Sequence, residues 1–216
     1  MQTYPRLCST LFGVLAGLAA ITPALASVNA EVSALRTQWE HVNFELPTQE
    51  QEAAYGGLLA RCDELLDKQP DDAQALTWCG IIRSSFAGVV GGLDALGYAK
   101  AARDDFERAV AIDPTVSDGA ALVSLGTLYA RVPGWPVGFG NSKKALEYLE
   151  AGLQANPEGI DSNFFLAEFL ASEGETDKAK EHLERVLRAA PRPGRNAADA
   201  ARKAEAEALL AKLSTN

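Results

Sequence analysis

The chain is 216 residues long, room for one or two ordinary domains, and its charge is unbalanced: 29 Asp and Glu against 20 Lys and Arg, a formal net charge of −9. Such an excess of acid repels phosphate backbones and anionic lipid headgroups, and no run of Lys or Arg offsets it. Nucleic-acid and membrane-surface partners are therefore not expected.

Taken in chain order, residues 1–26 read as a secretory signal rather than as part of the fold. Arg6 is the only charge, Leu11 to Ala26 is almost wholly apolar, and Ala24-Leu25-Ala26 places small residues where a signal peptidase reads. A membrane anchor needs ~20 apolar residues; this run is shorter and contains Gly13, Gly17 and Pro23. Cleavage is expected after Ala26. Cys8 precedes the apolar stretch, so no acylated cysteine follows it. The mature protein, with a net charge of −10 once Arg6 is gone, is expected to be soluble and secreted, in a bacterium to the periplasm.

Residues 28–45 then read as a helix with Val32, Leu35, Trp39, Val42 and Phe44 on an apolar stripe. Four amphipathic stretches follow, each closing at a proline: Leu58 to Pro70, Ala102 to Pro114, Ala145 to Pro157 and Ala179 to Pro191. They predict helix pairs at about 28–70 (the first of them incomplete), 73–115, 117–158 and 160–192. A charged helix over 195–213, with Ala206, Leu209, Leu210 and Leu213 on one face, would cap them. No apolar alternation of period 2 is long enough for a strand, so residues 27–216 are expected to form one all-α domain. Cys62 and Cys79 both fall in expected helix cores. An oxidising compartment permits a disulfide between them; buried thiols are the other reading.

Two of the pairs are longer than the last, and the surplus falls between their helices. The first surplus, Phe86 to Tyr98, is apolar and contains Gly88, Gly91 and Gly92. It suits either an extended helix packed closely on a neighbour or a groove left open for a ligand. The second, Arg131 to Lys143, carries three glycines and two prolines, which exclude a continuous helix. Its aromatics, Trp135 and Phe139, either plug the end of the domain or form a recognition loop. Ser142 is placed to cap the helix that begins near Lys143.

The prolines that close the four stretches are 44, 43 and 34 residues apart. The spacing of small and large residues before them resembles the tetratricopeptide repeat (TPR) family: Ala102-Phe106-Ala109-Pro114, Ala145-Leu149-Gly152-Pro157 and Ala179-Leu183-Val186-Pro191. Leu125, Gly126 and Tyr129 match the first helix of that motif, and Cys79-Gly80 and Leu166-Ala167 are looser versions of it. Leu76, Leu122 and Asn163 stand where the motif often has Trp. The resemblance implies a TPR-like α-solenoid of antiparallel helix pairs. It also implies a concave groove for a protein or peptide partner, lined by Thr77, Ile81, Ser84, Val123, Thr127, Arg131, Phe164 and Glu168, with Trp135 and Phe139 added from the loop. Gly-Trp-Pro-x-Gly-x-Gly followed by Lys-Lys-Ala, and the closing Pro-Arg-Pro-Gly, are similar to exported bacterial TPR proteins such as the T component of TRAP transporters.

Nothing in the pattern points to catalysis. His41 and His182 lie in separate helices, and His182, between Glu181 and Glu184, is expected to be solvated. No Cys or His pair has metal-ligand spacing, and no Gly-x-Ser-x-Gly elbow or P-loop appears. No cofactor is expected. The two functions implied are a non-catalytic interaction module in the cell envelope and a transport-associated protein that holds a small apolar solute beside the Phe86–Tyr98 insertion.

Overall fold

The computed structural model describes residues 23–215, and among them every regular element is an α-helix. The expected signal segment lies almost entirely outside the described residues. The helices are α1 (Pro23–Phe44), α2 (Thr48–Lys68), α3 (Ala73–Val90), α4 (Asp94–Ile112), α5 (Val116–Arg131), α6 (Ser142–Ala155), α7 (Ile160–Ser172), α8 (Thr176–Arg188) and α9 (Asn196–Ser214). Consecutive helices pack as antiparallel pairs, and α1, α3, α5 and α7 also touch one another in sequence, which makes them the inner row of a superhelix. This is the TPR-like, all-α solenoid that the repeat pattern implies. The first pair differs in one respect from the expectation of an incomplete unit: α1 and α2 are both full helices, of 22 and 21 residues.

Local chemistry explains the ends of the helices. Asp72 precedes α3 and accepts from the Ala75 backbone N–H, occupying one of the donors a helix start leaves free. Asn141 does the same for α6, accepting from Lys144 N–H. Asn141, not Ser142, is therefore the cap; Ser142 is already the first residue of the helix. Gly91 and Gly92 turn the chain between α3 and α4 with φ of 62° and 61°, a backbone conformation that a side chain disfavours. At the head of α5, Ser117, Asp118 and Gly119 all have positive φ, so the regular helix starts only beyond them.

Packing is continuous from pair to pair. One core joins Leu76, Phe106, Leu125 and Leu149 across α3 to α6, a second joins Leu35, Tyr55, Cys62 and Ile82 across α1 to α3, and a third joins Ile160, Leu183, Val186 and Ala206 across α7 to α9. No pair could bury these faces alone, which is why the repeats stack. Cys62 and Cys79 are both fully buried free thiols. They face each other; the hydrogen bond that the Cys79 thiol gives to Cys62, together with burial, pushes that thiol well above its ordinary range. No described helix is long and apolar enough to cross a membrane.

The solenoid also closes on itself. Helix α9 packs against α8 and α7 and then reaches α1, at the opposite end of the chain. Glu40 of α1 accepts from the Ala198 backbone N–H at 3.3 Å and pairs with Arg195 at 3.2 Å.

Candidate partner-binding cavity

The inner row of helices lines a large, partly open cavity of 2410 Å³. Its walls come from α1, α3, α5 and α7, and α9 supplies the closing side. On α3 the residues that face it, Gln74, Trp78, Ile81, Ser85 and Gly88, follow helical spacing.

Seven of the residues carried over from the repeat pattern line this cavity: Ile81, Ser84, Val123, Thr127, Arg131, Phe164 and Glu168. The two hydroxyls among them are satisfied by their own helices, Ser84 donating to Ile81 C=O at 2.9 Å and Thr127 to Val123 C=O at 2.9 Å. Arg131 reaches across to Glu168 at 2.5 Å, pairing charge on α5 with charge on α7.

Three of the expected residues sit elsewhere. Thr77 is fully buried and donates to Ala73 C=O at 2.7 Å; it falls one residue off the open stripe of α3, beside Trp78, so no partner can touch it. Phe139 folds back onto the protein, edge-on to Tyr129 with ring centroids 5.4 Å apart and with the Arg103 guanidinium 4.8 Å over its ring. Trp135 stands free, 91% exposed, and is not part of the cavity wall. Of the two aromatics in the second insertion, Phe139 thus docks on the protein and Trp135 does not. The backbone bonds Asn141 N–H to Tyr129 C=O and Gly140 N–H to Pro133 C=O hold the loop in place.

The first insertion lines the cavity. Gly88, Gly92, Leu93, Ala95 and Leu96 all face it. No neighbour approaches Gly88: a Cβ there would meet nothing within 4 Å, so the glycine leaves room rather than admitting a close helix crossing.

The closing wall could not be located from the repeat pattern. Asp161 on α7 binds Arg192 at 2.7 Å and Arg202 at 3.1 Å, and Arg192 also lies 2.6 Å from Asp199. Burial works to raise the Asp161 carboxyl, but Arg202, Arg192 and Arg195 overcome it and hold the group below the usual carboxylate range. Arg202 lies 4.5 Å over Phe164 and 4.3 Å over Phe165. Arg195 lies over Trp39 and Trp78, at 5.8 and 5.4 Å. The only signals for this wall in the sequence are the arginines of the 192–202 stretch and the tryptophan on α1. Neither has a repeat position to place it.

His182 is half-buried rather than fully solvated as its acidic neighbours suggest. Asn163 donates its amide to Pro157 and Gly159 C=O, which leaves its oxygen to accept from His182 Nδ1 at 2.9 Å. Burial first, then Arg185, lowers the His182 pKa. Among the described residues no three His, Cys, Asp or Glu side chains are gathered as a metal site.

A model of the tetratricopeptide repeat matches residues 137–203. No curated protein sequence matches. Among solved structures, a thermophilic TPR protein of Thermus thermophilus is similar at 21% identity, with 85% of this chain and 80% of that chain covered and a TM-score of 0.57. MamA is similar at 18% identity over 65% of this chain and 91% of its own, with a TM-score of 0.34. The helix pairs, the small residues where they cross and the Thermus structure agree on a TPR-like α-solenoid fold, and residues 137–203 match the tetratricopeptide repeat itself.

Proposed function

We propose that the chain is an exported, non-catalytic interaction scaffold, cleaved after Ala26, whose concave cavity holds part of a protein partner. The observation that carries this reading is the cavity itself. At 2410 Å³ it exceeds the ~300–1,000 Å³ of ordinary small-molecule sites, and its wall alternates apolar side chains with charge pairs rather than converging on a reactive group. The test is a photo-crosslinking residue at Thr127, inside the cavity, compared with one at Asp104, on the outer helix α4, in cells. A defined polypeptide adduct at Thr127 alone supports the reading; equal adducts at both positions, or none, refute it. Export is checked by the intact mass of the secreted protein, which should begin at Ser27.

The first insertion favours a second reading, a transport-associated protein that holds a small apolar solute, as the likeness to TRAP T components implies. Its apolar, small-residue wall from Gly88 to Leu96 faces the cavity directly. Native mass spectrometry of protein taken straight from cells separates the two: a bound small molecule favours the solute, an empty chain the scaffold.

A further inference from the structure

We infer that Cys62 and Cys79 are the two ends of a disulfide that staples the first helix pair to the second, and that the bond forms by exchange with a disulfide oxidant while the chain folds, before the core closes over it. Its formation does not depend on what the cavity holds.

The repeat register singles out the pair. Cys62 stands eight residues before Pro70, the place of Phe106 before Pro114, Leu149 before Pro157 and Leu183 before Pro191. Cys79 stands directly before Gly80, as Leu125 stands before Gly126 and Leu166 before Ala167. In the other units these two seam positions carry large side chains, and all of those are buried. Phe106, Leu125, Leu149 and Leu166 belong to one core. Among the described residues, only where α2 packs on α3 are both positions cysteine, and there the two face each other, fully buried, in another core. Two smaller side chains at adjoining seam positions give up apolar contact that the other junctions keep. A bond between them replaces that contact with a covalent link.

Burial sets when the bond forms. Exchange needs a thiolate. In the folded protein the Cys79 thiol is held protonated, and both side chains are sealed from solvent. The exchange therefore belongs to the open chain. One cysteine thiolate attacks a sulfur of the oxidant, a protein or small-molecule disulfide, and expels the other sulfur as a thiolate. The second cysteine thiolate attacks the protein sulfur of the mixed disulfide and expels the remaining oxidant thiolate. The two cysteines lose two electrons, the oxidant gains them, and the two thiol protons pass to the expelled thiolates. In cells an oxidising compartment supplies such an oxidant. Once the chain is folded, the same burial keeps reductants out.

The loop so closed is short. Cys62 and Cys79 are 17 positions apart and join α2 to α3 across the turn between them. Closing a loop of that length should raise the Tm of a chain this size by about 6–12 °C.

The test refolds the full reduced chain with and without oxidised glutathione, unfolds each sample in a thiol-alkylating reagent and maps the peptides. The expected result is that Cys62 and Cys79 escape alkylation when the oxidant is present during folding, and that one linked peptide carries both. The linked chain should melt about 6–12 °C above the reduced one. Oxidant added only after folding should leave both thiols open to alkylation. The double variant Cys62→Leu, Cys79→Leu, which restores the large side chains of the other units, should melt alike with and without oxidant. Two alkylated thiols after oxidative refolding, glutathione retained on either cysteine, or a link from Cys8 to one of them overturns the disulfide. A linked chain that melts with the reduced one, or a leucine variant whose Tm still rises with oxidant, overturns the staple. Equal linking of chain that is already folded overturns formation during folding.

Discussion

Alanine at Gly126 tests the packing argument directly, because the same substitution at Gly56 supplies its own reference. A Cβ at Gly126 would stand 2.6 Å from Leu149 Cγ, 2.9 Å from Leu149 N and 3.0 Å from Ala145 C=O. Two of those atoms are backbone, and Leu149 is fully buried, so α5 and α6 must move apart. Overpacking of this kind costs about 1–3 kcal/mol. A Cβ at Gly56, inside α2, would meet nothing within 4 Å. There alanine should stabilise by roughly 0.5–1 kcal/mol, the helix propensity it gains. That gain is common to both sites, so the difference between the variants isolates the crossing. For a chain of this size about 1 kcal/mol moves Tm by roughly 2–4 °C. Gly56→Ala should therefore melt slightly higher than the parent, and Gly126→Ala should melt below Gly56→Ala by up to about 10 °C. The assay is thermal unfolding followed by far-UV circular dichroism. If the two variants melt together, close helix crossing at Gly126 is not what makes the repeat need a small residue.

Three further outcomes follow from particular side chains. Trp39 and Trp78 are 8% and 6% exposed while Trp135 is 91% exposed, so acrylamide should quench tryptophan emission in two classes, and Trp135→Phe should remove the accessible class without moving Tm. The lowered pKa of His182 means the folded state binds its proton less readily than the unfolded chain does. Stability should be complete above the ordinary value of 6.5 and decline as pH falls below it, and His182→Gln should flatten that part of a Tm-against-pH profile. Asp161→Asn leaves Arg192 and Arg202 without their shared carboxylate and should cost about 1–2 kcal/mol, discounted for its partial exposure. Because its carboxyl is held below 3.8, this contribution is present above that pH and is lost as pH falls further; the loss should disappear in the variant.

The fold was legible because the repeat states a distance constraint in residue types. Ala102, Ala145 and Ala179 are all fully buried at helix crossings, and Phe106, Leu149 and Leu183, each four residues later, are fully buried as well. Small-then-large at fixed spacing leaves one way to stack two helices, so pattern and packing carry the same information. Thr77 shows where this precision ends. A motif position places a residue on a helix to within one step, and one step is about 100° of rotation, enough to turn Thr77 from the open stripe into the core while Trp78 takes the wall. Phe139 and Trp135 show a second limit. Both are large aromatics in a loop that no helical period describes, and which of them docks is decided by Tyr129 and Arg103, which come from other elements.

The closing wall was illegible for a different reason, and it bears most on function. A repeat pattern records contacts between neighbouring units, whereas Glu40 and Arg195 meet because four pairs accumulate enough curvature to bring the first helix to the last. Nothing local to residue 40 or residue 195 encodes that meeting. What the sequence does carry is the participants: Glu40 and Trp39 in a helix with an apolar stripe, Trp78, and the arginines that follow Pro191. Each is unremarkable alone, and only the fold brings them together. Arg192 and Arg195 from the segment before α9, and Arg202 on α9, face the cavity but are paired with Asp161, Asp199 and Glu40, so they join the ends of the groove without giving it a net charge.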